Sequence, residues 1–172
     1  LHFAHAGSVF MEQSPATIHS LNKLLELVAY LNQGADHNCT YELIELPSAA
    51  TLNEALAAYF ESIVNWRTKR PHPASDWHIS VSPMSGTPSE ALQSVVDEWF
   101  FQTHCSPQLG ERRAWVRKNV VSFVVQEILE VLGALSVDEV LTSPPLWYEG
   151  TWQDIALSSE HGRWLLHFGI TD

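Results

Sequence analysis

Residues Ser106 to Ser136 read SPQLGERRAWVRKNVVSFVVQEILEVLGALS, and whether this stretch coils or extends decides the fold. Ser106-Pro107 is a helix start: Ser accepts bonds from orphan first-turn amides, and Pro at the first helical position loses none. The apolar residues Trp115, Val116, Val120, Val121, Phe123, Val124, Val125, Ile128, Leu129, Val131, Leu132 and Leu135 then cover more than one face. Five of the six residues in Val120–Val125 are β-branched or aromatic, which favours a strand. The continuation Gln126-Glu127-Ile128-Leu129-Glu130-Val131-Leu132 keeps helical spacing, so a helix over about 107–133 is expected, buried on most sides and ended by Gly133. Lys118, Gln126, Glu127 and Glu130 interrupt the run, so it is no membrane span.

Outward from this helix the punctuation is frequent. Ser14-Pro15 opens a helix with the stripe Ile18, Leu21, Leu24, Leu25, Val28 and Leu31, ending at Gly34. Thr40–Leu46 reads as a strand covered on both faces. Thr51…Glu54 and Thr87…Glu90 are capping boxes, the second with Pro88 at the first helical position. Between their helices, Trp77, Ile79 and Val81 alternate with His78, Ser80 and Ser82 as a half-buried strand. Ser136…Glu139 is a further capping box, predicting a short helix to about Leu141. Beyond Pro144-Pro145, Gln153, Ile155 and Leu157 alternate with Trp152, Asp154 and Ala156, Ser159–Gly162 turns, and Trp164, Leu166, Phe168 and Ile170 return along one face.

The predicted class is α+β: a largely antiparallel sheet with helices packed on one face around the long helix, ending in a C-terminal β-hairpin. Residues 1–172 suit a single domain, with 1–10, ahead of Met11, set aside as a segment of uncertain origin. A doubly wound nucleotide fold fits less well, because neither G-x-G-x-x-G nor a P-loop occurs.

The net charge of −11, with nine Lys plus Arg, argues against general nucleic-acid binding and against docking on anionic membranes. Seven of those cations fall in two clusters, Arg67, Lys69, Arg70 and Arg112, Arg113, Arg117, Lys118. The second cluster opens the long helix, where the macrodipole disfavours cations, so acidic neighbours or an acidic partner should offset it. Two cysteines, Cys39 and Cys105, make no disulfide framework, and a reducing, cytoplasmic setting is the expectation.

Three groups of residues carry candidate chemistry. His37, Cys39, His104 and Cys105 have the atoms of a tetrahedral zinc shell, but adjacent ligands diverge and no C-x-x-C or H-E-x-x-H supports it. No cofactor or metal is therefore expected. Cys105, ahead of a helix start and near arginines, is the alternative catalytic nucleophile, although His104 is poorly placed as its base. His78, Ser80, Arg163 and His167 would form a ligand-binding sheet face if their strands were neighbours.

Of seven tryptophans, Trp66, Trp77, Trp99, Trp115 and Trp164 fall on apolar faces and are expected in the core. Trp147 and Trp152 flank a segment, Trp147-Tyr148-Glu149-Gly150-Thr151-Trp152, that follows Pro-Pro and precedes the hairpin, so some of its rings should be open to a partner. The resulting expectation is a non-enzymatic protein-binding or regulatory domain. It would act on a protein partner, or on a second copy of itself, through Trp147, Tyr148 and Trp152 and through Arg112, Arg113 and Arg117. The alternative is a small-molecule-binding protein or a thiol- or metal-dependent enzyme using Cys105 or the His78/His167 face.

Overall fold

A computed structural model describes residues 17–34, 36–64, 70–102, 114–133 and 135–171. The elements run α1 (Ile18–Asn32), β1 (Asn38–Glu45), α2 (Leu52–Ser62), a 3₁₀ turn (Ala74–Asp76), β2 (His78–Pro83), α3 (Pro88–Phe101), α4 (Ala114–Leu132), β3 (Ser136–Ser143), β4 (Thr151–Ser159) and β5 (Gly162–Thr171). The five strands form one antiparallel sheet in the order β1-β5-β4-β3-β2. The class is therefore α+β with an antiparallel sheet, and β4–β5 is the expected hairpin, closing at Ser159↔Gly162.

The two capping boxes at Thr51 and Thr87 start their helices as predicted. The Thr51 amide donates to Glu54 Oε2 (3.0 Å) and the Thr87 amide to Glu90 Oε2 (2.8 Å), while each threonine hydroxyl accepts from the glutamate amide. The described part of α1 is capped by Thr17 with Ser20 rather than by Ser14-Pro15, which lies outside the described residues. Gly133 ends α4 at φ +81°, a conformation that a Cβ disfavours, with its amide donating to Leu129 O.

Three expectations are corrected. Ser136–Leu141 is not a helix but most of β3, paired on both sides. Its Val137 faces one core and Val140 the other, a use of both faces that a strand permits. The helices do not all share one face: α1, α3 and α4 cover one side, and α2 packs with Trp77 on the opposite side against Leu46, Val140, Ala156 and Leu165. Nor is α4 buried on most sides. Its stripe Val121, Val124, Val125, Ile128 and Leu132 is buried, while Trp115 is 62% exposed and Phe123 also faces outward. The buried stripe joins the core shared with α1, α3 and the sheet, and Trp115 and Phe123 lie off that stripe.

The other tryptophans follow expectation where they are described: Trp77, Trp99 and Trp164 are buried, and Trp66 lies outside the described residues. Asn22 of α1 seals one sheet edge. Its Oδ1 accepts from the Leu43 amide (2.7 Å) and its Nδ2 donates to the Leu43 carbonyl (2.9 Å). At the end of α3, Tyr41 Oη and the buried Asn32 amide donate to the Trp99 carbonyl in the last turn. Among the described residues, no helix is long and apolar enough to cross a membrane.

Candidate functional site

The hairpin register sets Asp154 of β4 directly beside His167 of β5, on the face that α2 covers. Asp154 is 0% and His167 3% exposed. His167 Nδ1 lies 2.7 Å from Asp154 Oδ1, and its Nε2 faces Glu149 Oε1 at 3.9 Å, an ion-pair separation. Tyr148 lays its ring 5.5 Å from the imidazole, and its hydroxyl reaches Asp154 Oδ2 at 3.4 Å. Burial by itself would strip the charge from His167, but hydrogen bonding and attraction to Asp154 and Glu149 outweigh it and lift the pKa to about 9. The ring is thus an imidazolium at neutral pH, donating from Nδ1 to Asp154 and forming an ion pair with Glu149 through Nε2. Burial, then the nearby carboxylates, push the Tyr148 phenol far above its ordinary value, so it acts as a donor.

This cluster fastens the β3–β4 loop onto the sheet. Glu149 occupies the space above Gly169, where an added Cβ would come 3.0 Å from Glu149 Cδ and 2.7 Å from His167 Nε2. Tyr148 meets Phe60 and Trp77 edge-on at 6.0 and 5.8 Å, and Phe60 stacks on Trp77 at 4.8 Å. With Tyr148 and Glu149 drawn inward, the preceding Trp147 is left 58% exposed. Both imidazole nitrogens face carboxylates, so the geometry suits an anchor better than a general base waiting for a substrate.

Beside the anchor the sheet opens. β3 and β4 pair from Ser136↔Ser158 only as far as Val140↔Asp154, and the stretch 141–143 then parts from 151–153. The gap forms a cleft of about 380 Å³ lined by Glu98 and Trp99 of α3, Glu139, Leu141 and Thr142 of β3, and Trp152 and Gln153 of β4. Strand alternation turns Glu139, Leu141 and Gln153 toward the α3 side and Thr142 and Trp152 toward the other. The indole N–H of Trp152 donates to Thr142 Oγ1 (3.1 Å), tying the two strands across the cleft floor. The indole N–H of Trp99 donates to Gln153 Oε1 (2.7 Å). Leu141 is 56% exposed, and no cation stands among the described residues lining the cleft.

The residues predicted from sequence are distributed unevenly. Trp147, Tyr148 and Trp152 gather at the loop end of β3 and β4, Trp147 exposed and the other two half-buried. His78 and Ser80 do not meet Arg163 and His167: β3 and β4 intervene, and the two pairs point to opposite faces. Arg163 instead donates to the carbonyls of Ala49 (2.6 Å) and Ala50 (3.2 Å), holding the approach to α2. Arg117 forms a forked pair with Asp97 of α3 and holds that carboxyl below its usual range, the intramolecular offset expected for this helix start. Arg112, Arg113, His104 and Cys105 lie outside the described residues. His37 closes the turn after α1, its ring near Asn32 O (3.3 Å) and packed over Gly34, while Cys39 is half-buried with its thiol pKa pushed up by burial. No group of three or more potential metal ligands occurs among the described residues.

Asp154, Glu149, Glu139 and Leu141 were not singled out from sequence. A lone acid in the apolar run Asp154-Ile155-Ala156-Leu157 was the available signal for the first. No protein-family model matches the chain, and no curated protein is significantly similar to it.

Proposed function

We propose that this chain is a protein-binding domain whose contact region is the loop end of β3 and β4. The observation that carries the reading is Trp147, 58% exposed on a loop that the buried His167 cluster holds to the sheet. A large exposed aromatic on a pre-organised loop is the kind of anchor that dominates interface energies, because little ordering entropy remains to be lost on binding. Exposed Leu141 and the open cleft on the strands that this loop joins enlarge the region. A partner of opposite sign is favoured over a second copy, since two chains of net charge −11 repel one another.

The test is a photo-crosslinking residue at position 147, with the same residue at Lys23 of α1 as the control. A discrete adduct at 147 and not at 23 is expected. The captured protein, once purified, should bind the native domain at least about tenfold more tightly than the Trp147→Ser variant, a hot-spot loss. Equal adducts at both positions, no adduct at 147, or unchanged affinity of Trp147→Ser would overturn the reading.

A further inference from the structure

We propose that β2 pairs edge to edge with β2 of a second copy of this chain about a two-fold axis, at a surface separate from the loop end. β2 closes the sheet at the edge opposite β1 and pairs with β3 alone. The Met84 amide donates to the Val137 carbonyl (3.0 Å), one step past Pro83↔Asp138 in the same register. Antiparallel alternation then turns the backbone groups of His78, Ser80 and Ser82 toward β3, and those of Ile79, Val81 and Pro83 away from the sheet. Among the described residues, nothing donates to or accepts from the outward N–H and C=O groups of Ile79 and Val81. At the other edge, by contrast, Asn22 occupies the backbone groups of Leu43. Of the usual guards of a bare edge, β2 has only the proline at its last position, and it contains no Lys, Arg, Asp or Glu.

These outward groups are their own complement. With Ser80 opposite the second copy's Ser80, Ile79 of each strand faces Val81 of the other, and each such pair exchanges both of its N–H···O bonds. A shift by one pair in one direction would set Ile79 against Pro83, which has no N–H to give. A shift in the other direction would call on the Trp77 amide, which donates to the Ala74 carbonyl. On one face, the half-buried Ile79 and Val81 side chains cover each other across the junction, a favourable β-branched pairing. On the other face, two small serines meet at the axis, where a non-hydrogen-bonded pair brings side chains closest. The net charge that turns the loop end toward a partner of opposite sign weighs less at this edge. Asp138 and Glu139 stand one strand behind β2, so those of the two copies lie at least three strand spacings, roughly 14 Å, apart, beyond the Debye length of about 8 Å at physiological salt. Asp76, ahead of the strand, faces His72 of its own chain at 3.5 Å.

Disulfide trapping tests both the contact and its register. Position 80 and its counterpart would have Cα atoms about 4.5 Å apart, within disulfide range, whereas the two copies of position 82 are four residues out of step, roughly 13 Å apart. Under mild oxidation, Ser80→Cys should form a covalent dimer at least about tenfold faster than Ser82→Cys or the native chain, whose own cysteines set the background. His78→Cys mixed with Ser82→Cys should give the heterodimer, since those positions face each other across the junction. In sedimentation velocity the native chain should dimerise reversibly with a Kd below about 1 mM. Ser80 is exposed, so Ser80→Glu and Ser80→Lys leave the fold intact; each alone should lose the dimer, because like charges then meet at the axis, and an equal mixture should recover it. Equal trapping at positions 80 and 82, a native chain that stays monomeric, a Ser80→Glu variant that associates like the native chain, or no recovery on mixing would overturn the proposal.

Discussion

His167 is a histidine that the fold keeps charged in a place where burial alone would discharge it. The groups facing it are Asp154 from β4, Glu149 and Tyr148 from the preceding loop, Glu42 across the β1–β5 ladder, and beyond them Tyr59 of α2. Its native pKa of about 9 stands above the ordinary 6.5 of the unfolded chain. The sign follows: the native state holds the proton more tightly, so this contribution is full below about pH 6.5, shrinks as pH rises, and is gone above about pH 9. Its size is on the order of 3 kcal/mol. Thermal unfolding followed by circular dichroism should therefore show the melting temperature falling between pH 6.5 and 9. His167→Gln should lower it throughout and remove most of that slope. A native profile that is flat across this window would show that the imidazolium is not what fastens the loop.

Among the elements, β1 and α4 make the clearest cases. β1 lies at an edge of the sheet, and a bare edge invites pairing with other chains. Asn22 of α1 occupies both backbone groups of Leu43 there. Asn22→Ala should cost about 1–3 kcal/mol in urea unfolding, the range for a buried backbone group left without its partner. It should also raise the rate of light-scattering aggregation, whereas Asn22→Asp, which keeps the acceptor, should recover part of the stability. Unaltered stability in the alanine variant would mean that water replaces Asn22 fully. On α4, Ile128 is completely buried and Phe123 is 53% exposed, although both belong to one continuous apolar run. Ile128→Ala should lose about 2–5 kcal/mol, and Phe123→Ser no more than about 0.5 kcal/mol. Comparable losses at the two positions would mean that the outer face of α4 is covered in solution.

At the scale of the whole molecule, the sheet order β1-β5-β4-β3-β2 places the first two strands at opposite edges and the C-terminal meander in the middle. That order explains which of the residues named from sequence come together. The β4–β5 hairpin was legible, because alternation and the Ser159–Gly162 turn set its register, and that register already implies Asp154 beside His167. The aromatic segment was legible as the connection ahead of the hairpin, because it follows two prolines and departs from strand alternation. The His78–His167 face was not recoverable, since it depended on which strands are neighbours. β3 was mistaken for a helix because Ser136…Glu139 satisfies a local capping pattern, while the pairing with β2 and β4 that overrides it comes from residues far along the chain.

The order of local residues alone determined the caps of α2 and α3, the end of α4 at Gly133 and the hairpin, because each rests on contacts between near neighbours in the chain. Only the tertiary structure decided that α2 covers the second face, that α4 buries one stripe of two, and that β3 and β4 part beside Trp152. Those outcomes depend on which distant surfaces meet. An apolar or acidic side chain has no directional record of its eventual partner, since hydrophobic burial is non-directional and a charge acquires its role from what is folded against it.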